Sequence, residues 1–229
     1  MLRRKLIRTV LLSYCSLIIA AVYIQDEFSI TVVKQAVPVD TDTVSAEKPV
    51  PIPVDSGLNE SALQFAKTYL KKNNYGLAKL KKREKPSFKV IHSVFTKYEI
   101  PLELKYLAVV ESNLQPNQVS RTGAKGLWQF MPATARENGL KVTDETDERL
   151  HVYKSSVAAA KYLKQLHAQF GDWLLVVAAY NSGPGYVNRA IRKSGSRDFW
   201  ELQKYLPKET RYHVKKYISV QYYFEELNS

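Results

Sequence analysis

From Leu58 onward the apolar positions recur with helical spacing. Within Ser155–Phe170, the residues Ala159, Tyr162, Leu163, Leu166 and Phe170 share one face of a 3.6-residue spiral that stops at Gly171, and Ser155 and Ser156 stand where a cap could begin it. Asp172 then precedes WLLVVAAYN, apolar nearly all round, which predicts a central buried helix stopped by SGPG. Pro132 suits the first position of a helix running to Asn138, with Gly139 just beyond its end. In PLELKYLAVVES, Pro101 opens a helix through residue 111 whose buried side is marked by Leu102, Tyr106, Val109 and Val110. Further helices are predicted near 59–71, 87–98, 185–193, 198–205 and 209–226. Alternating strand patterns are nearly absent, so the expected fold is all-α.

The first 57 residues follow other rules. Arg3, Arg4, Lys5 and Arg8 form a basic start, followed by an uncharged, mostly apolar run from Thr9 to Gln25, so residues 1–26 read as an export signal peptide or an N-terminal membrane anchor. The run falls between a cleaved signal and a span, which needs about 20 apolar residues. Cys15 is the only cysteine, which excludes an intramolecular disulfide; it is either an inert thiol in that apolar run or a lipidation site. Residues 27–57 are rich in Val, Pro, Thr and Asp, culminate in KPVPIPVD and show no period that could bury a face, so they read as an extended linker. Residues 58–229 are the expected folded domain.

Charge separates the same parts. The formal net charge of +12 belongs to residues 58–229, because acids and bases cancel in the first 57. Half of it lies in KKNNYGLAKLKKREK, Lys71 to Lys85, a surface suited to an anionic polymer or to plain solvation. The export-type start argues against a nucleic-acid partner.

One carboxylate stands out. Glu111 follows two valines at the C-terminal end of its predicted helix, where apolar surroundings and the macrodipole both disfavour negative charge. A carboxyl raised in this way is what general acid catalysis near neutral pH needs. The cluster VTDETDER, holding Asp144, Glu145, Asp147 and Glu148, reads as an exposed loop, and Asp172 as a helix cap. Trp128 and Phe130 read as either core or sugar-stacking residues, and Gly126 as a tight backbone position. His92, His151 and His167 show no metal-ligand spacing, so no metal and no cofactor are expected.

Four blocks stand in order around Glu111: KYEIPLELKYLAVVES, GAKGLWQFMP, AAYNSGPGYVNRAI and LPKETR. Together, over about residues 88–226, they resemble the soluble-type lytic transglycosylase family, in particular its membrane-bound D-type branch. The resemblance implies a lysozyme-like, mainly helical domain acting on peptidoglycan glycan strands on the periplasmic side of a bacterial envelope. It places Glu111 at the position of a single catalytic acid/base. It places Ser120, Gln129, Met131, Tyr180, Asn181 and Glu209 at substrate-binding or supporting positions. One glutamate suffices in such chemistry if the sugar's own C6 hydroxyl attacks its anomeric carbon, giving a 1,6-anhydro product, whereas most glycosidases need two carboxylates. The chain departs from the family near its end, where ETRYHV puts His213 at the usual tyrosine position; that tyrosine's role is open among Tyr212, His213 and Tyr217. The alternatives are a lysozyme-like hydrolase on the same scaffold and a noncatalytic wall-binding module.

Overall fold

The apolar stripes build nine α-helices among the described residues, 60–226 of a computed structural model. The predicted export segment, the linker and Cys15 lie outside those residues. The helices are α1 (Glu60–Lys81), α2 (Lys85–Tyr98), α3 (Lys105–Ser112), α4 (Pro132–Glu137), α5 (Val152–Phe170), α6 (Trp173–Ser182), α7 (Pro184–Ser194), α8 (Phe199–Leu202) and α9 (Lys208–Glu226). Short 3₁₀ turns precede α3, α5 and α9. Extended pairing among the described residues is confined to isolated bridges such as Val119 with Lys125 and Lys125 with Phe130. The fold is all-α, and no described helix is long and apolar enough to cross a membrane.

Helix α6 is the axis. Leu175 to Ala179 are completely buried, and the helix packs against α5, α7 and α9. Asp172 starts it by accepting from the Leu175 amide at 2.8 Å, as its position in the sequence predicts. A ten-residue helix that is apolar all round is marginal in water, so its stability comes from this packing.

The stretches expected as helices at 101–111 and 198–205 each include a 3₁₀ turn, Leu102–Leu104 and Gln203–Tyr205, and two helices differ further from the sequence expectation. The first runs on to Lys81 instead of ending near residue 71, because Leu77 and Leu80 continue the buried stripe of Ala62 and Ala66 while the lysines stay on the outer side. Helix α5 starts at Val152, three residues before Ser155, with His151 as its cap. Ser155 and Ser156 are therefore interior positions, both fully buried, and their hydroxyls bond back to carbonyls of the preceding turn. The Ser156 hydroxyl also accepts from the Trp128 indole N–H at 3.0 Å. Ser156 there serves a buried tryptophan instead of a cap.

The acidic cluster divides as well. Asp144 and Glu145 are exposed, as expected, but Asp147 and Glu148 are partly covered and engaged. Asp147 holds Arg149 through two oxygens, at 2.8 and 2.7 Å, and also pairs with Lys125. Arg149, only 4% exposed, spends its remaining donors on the carbonyls of Gly123 and Phe130. A buried arginine needs such a partner, which is why this carboxylate is drawn in.

Gly126 sits where the loop after α3 crosses this arginine. Its φ is +83°, and an added Cβ would lie 1.9 Å from the Arg149 carbonyl oxygen. Gly126→Ala is expected to destabilise the domain by about 2–4 kcal/mol, from the combined clash and backbone strain. Denaturant unfolding measures this.

Candidate active site

Helix α3 ends abruptly, and Glu111 sits on its last turn. Asn113 and Leu114 both adopt left-handed backbone, at φ 52° and 57°, and their amides return to Val109 and Ala108. Asparagine tolerates that conformation; a buried leucine is strained in it. The carbonyls left over at the helix end meet cations. Lys216 from α9 donates to Val110 at 2.8 Å, and Arg83 donates to Asn113 at 3.1 Å. The negative end of α3 that faces Glu111 is thus met by positive groups.

The Glu111 side chain is 16% exposed, and its Oε1 lies 2.9 Å from the Nε2 of His213. Of the three aromatic candidates near the chain's end, the structure brings His213 to the glutamate; Tyr212 is 51% exposed, and Tyr217 is fully buried in the core. Lys216 stands three residues further along α9. Burial lowers its pKa below the usual lysine range, while the nearby Glu111 charge opposes that shift. Tyr180 on α6 also senses Glu111. Its pKa is pushed well above the ordinary phenol value, first by burial and then by the Glu111 charge. Its hydroxyl donates to the Trp128 carbonyl at 2.7 Å, and its ring packs against Phe130 and Tyr162.

Residues 118–130 form a wall tied to the end of α3 at Leu127, and side chains pin its backbone. Ser112, next to Glu111, donates to the Leu127 carbonyl at 2.8 Å. Gln129 has a φ of 49°, and its amide reaches back to the carbonyls of Gly126 and Gln118. Trp128 and Phe130 are core residues, at 0% and 3% exposure. Ser120 accepts from the Ala124 amide and contacts the Thr122 hydroxyl, tightening the loop tip. Met131 is 44% exposed at the start of α4. Asn181 is half-buried on the last turn of α6, adjoining Tyr180. Glu209 is exposed on the first turn of α9, one turn before His213.

This arrangement can be set beside known proteins. The sequence profile of the transglycosylase SLT domain matches residues 89–203, half of the chain. The chain belongs to that family. It is 38% identical over 167 residues to membrane-bound lytic murein transglycosylase D of Escherichia coli, a match covering 71% of this chain and 36% of that protein. The chain therefore spans about a third of that relative's length. An inactive mutant of lytic transglycosylase Slt from Pseudomonas aeruginosa superposes with a TM-score of 0.53 at 26% identity, over 61% of this chain and 24% of that one. The 70 kDa soluble lytic transglycosylase of Escherichia coli gives 0.57 at 24% identity, over 77% and 32%, which speaks for the fold alone. The all-α fold is that of the lysozyme-like SLT structures.

Sequence reasoning missed Lys216, Ser112 and Arg149. The spacing of His213 and Lys216 on one helix face was available as a signal; the serine and arginine act on backbone carbonyls, which no motif announces. Two measurements test these attachments. Ser112→Ala leaves the Leu127 carbonyl without its donor and is expected to cost about 1–3 kcal/mol in denaturant unfolding. Asp147 titrates near 2, chiefly because Arg149 hydrogen-bonds its carboxylate. Its folded value lies below the unfolded one, so its contribution is complete above about pH 4 and is lost as pH falls through about 2. Asp147→Asn is expected to lower the melting temperature at pH 7 and to flatten its fall between about pH 4 and 2.

Proposed function

We propose that the chain is a lytic transglycosylase that cleaves the β-1,4 bond between MurNAc and GlcNAc in peptidoglycan and leaves a 1,6-anhydro-MurNAc end. The observation that carries this reading is Glu111, partly buried on the last turn of α3 and held at 2.9 Å by His213, where that turn is tied to the pinned wall of residues 118–130. Family membership and the relatives' names support the substrate class. Glu111 protonates the glycosidic oxygen as the C–O bond breaks. As a carboxylate it then takes the proton of the sugar's C6 hydroxyl while that oxygen closes on the anomeric carbon, which restores the acid.

Two acids of the VTDETDER segment are committed elsewhere. Asp147 is committed to Arg149 and Lys125, and Glu148 to Lys154 and the Lys141 amide. Neither is offered as a second carboxylate of the kind that hydrolytic glycosidases use. Ser120, Gln129, Met131, Tyr180, Asn181 and Glu209 are proposed as substrate-binding or supporting residues. Gln129 and Tyr180 act by holding the wall's backbone, whereas exposed Met131 and Glu209 are available for direct contact. The reaction belongs to the cell envelope, where the chain meets glycan strands, tethered to a membrane or exported through residues 1–26.

Digestion of purified sacculi followed by mass spectrometry tests the reaction. The expected fragments are lighter by one water than those of a hydrolase. Fragments with intact reducing ends identify a lysozyme-like hydrolase instead, and binding without fragments a noncatalytic module. Glu111→Gln is expected to slow release by about 10²- to 10⁴-fold; a wild-type rate in that variant rules the assignment out.

A further inference from the structure

We propose that His213 serves Glu111 as a neutral hydrogen-bond donor held in a single tautomer, Nε2–H, so that the working proton resides on the carboxyl group and never on the imidazole. The inference rests on the reading of Glu111 as the acid/base. It starts from the two ring nitrogens, whose surroundings differ. Nε2 lies 2.9 Å from Glu111 Oε1, while Nδ1 is buried and finds no partner among the described residues. The whole side chain is only 10% exposed.

Three proton arrangements are compatible with that contact. In the first, a neutral imidazole donates its Nε2 proton to Glu111. In the second, Glu111 donates to a bare Nε2, and the ring's proton sits on Nδ1. In the third, an imidazolium pairs with the carboxylate, and Nδ1 again carries a proton. The second and third bury an N–H donor with no acceptor among the described residues, and the third buries a charge as well; orphaned buried N–H groups are rare and costly. Among the described residues, only the first puts the ring's single proton where an acceptor stands.

The surrounding groups agree. Lys216, on the same helix, already supplies a cation near Glu111, so a second positive charge beside it would be repelled. Tyr180, from α6, is a neutral phenol held well above its usual pKa. On α9 itself Glu209 and Tyr212 are exposed and Tyr217 is buried, while from α1 Phe65 lies against Tyr212 and Tyr69 stacks on Phe65. None of these supplies an acceptor to Nδ1.

His213 is therefore a positioning residue, and it supplies a single neutral donor, as the hydroxyl of the family's usual tyrosine could. When Glu111 gives its proton to the leaving oxygen, the Nε2–H bond remains and strengthens onto the new carboxylate. When Glu111 takes the C6 hydroxyl proton, the bond weakens again. The imidazole gains and loses nothing over the cycle.

The deciding measurement is ¹⁵N NMR of the histidine-labelled full chain, with His213 assigned by its absence from H213Q. The expected spectrum, taken at the pH of the activity measurements, shows a protonated Nε2 and a bare Nδ1. A protonated Nδ1 overturns the proposal. Kinetics on sacculi give a second readout. H213A is expected to lower the rate by about 10- to 100-fold, the loss of one hydrogen bond to a charged group. H213Q, whose amide N–H is neutral, is expected to recover most of that loss and to keep the wild-type pH profile. If H213Q is as slow as H213A and an acidic limb disappears in both, the imidazole carries a working proton and the proposal falls. Melting curves of both variants identify any loss that is merely unfolding, and the wild-type spectrum decides the tautomer even then. E111Q keeps the two readings apart. A fast E111Q defeats the acid/base assignment whatever the tautomer, while a slow E111Q with a protonated Nδ1 leaves that assignment standing and defeats this one.

Discussion

The segment from Gly126 to Phe130 carries buried backbone carbonyls that belong to no helix, and a buried carbonyl without a donor costs about as much as a lost hydrogen bond. Four of them are answered, each from a different place. Gly126 is met by Gln129, Leu127 by Ser112 of α3, Trp128 by Tyr180 of α6, and Phe130 by Arg149 from the turn before α5. The Trp128 ring is tied in turn to Ser156 of α5. Satisfying this one run of backbone thus fixes the mutual placement of three helices and a turn. Glu111 is the residue next to Ser112, so its position is set by the same constraint.

The constraint also explains where strain is tolerated. Apart from Glu99, which caps the end of α2, the non-glycine residues with left-handed backbone among those described are Asn113, Leu114 and Gln129, at the end of α3 and in the wall. Residues of this kind persist only where the surroundings over-determine them. Here Lys216 and Arg83 hold the carbonyls at the end of α3, and the Gln129 amide grips the turn it belongs to. The sharp exit from α3 leaves the glutamate on a final turn instead of inside a longer helix, where neighbouring turns would cover it.

The periodicity of the chain made the helices legible because burial follows directly from apolar spacing, and WLLVVAAYN is the clearest case. The two departures share a cause. At Leu77 and Leu80 a basic outer face masked a continuing inner stripe, and at Ser156 a capping residue type served a tryptophan distant in sequence. Glu111 could be singled out from its valines and its helix end. What could not be read was the division of labour around it, because Tyr180, Ser112 and Arg149 bind main-chain oxygens, and every residue presents the same main chain. Asp147 was misread as solvent-facing for a related reason: its partner Arg149 is buried only because two loop carbonyls call for its remaining donors.

The partners of the acid also lie outside the stretch that the SLT profile matches. That match ends at residue 203, whereas His213 and Lys216 belong to α9, which packs along α1, a helix wholly N-terminal to the match. Phe65 of α1 meets Tyr212 edge-on, and Lys215 reaches over the Phe65 ring. Helix α9 is thereby held on its outer side by α1 and on its inner sides by α6 and α3. The depth at which His213 meets Glu111 depends on all three. Removing α1 would free the outer side of α9 without touching any residue of the matched region, so the acid's hydrogen bond is a property of the larger domain.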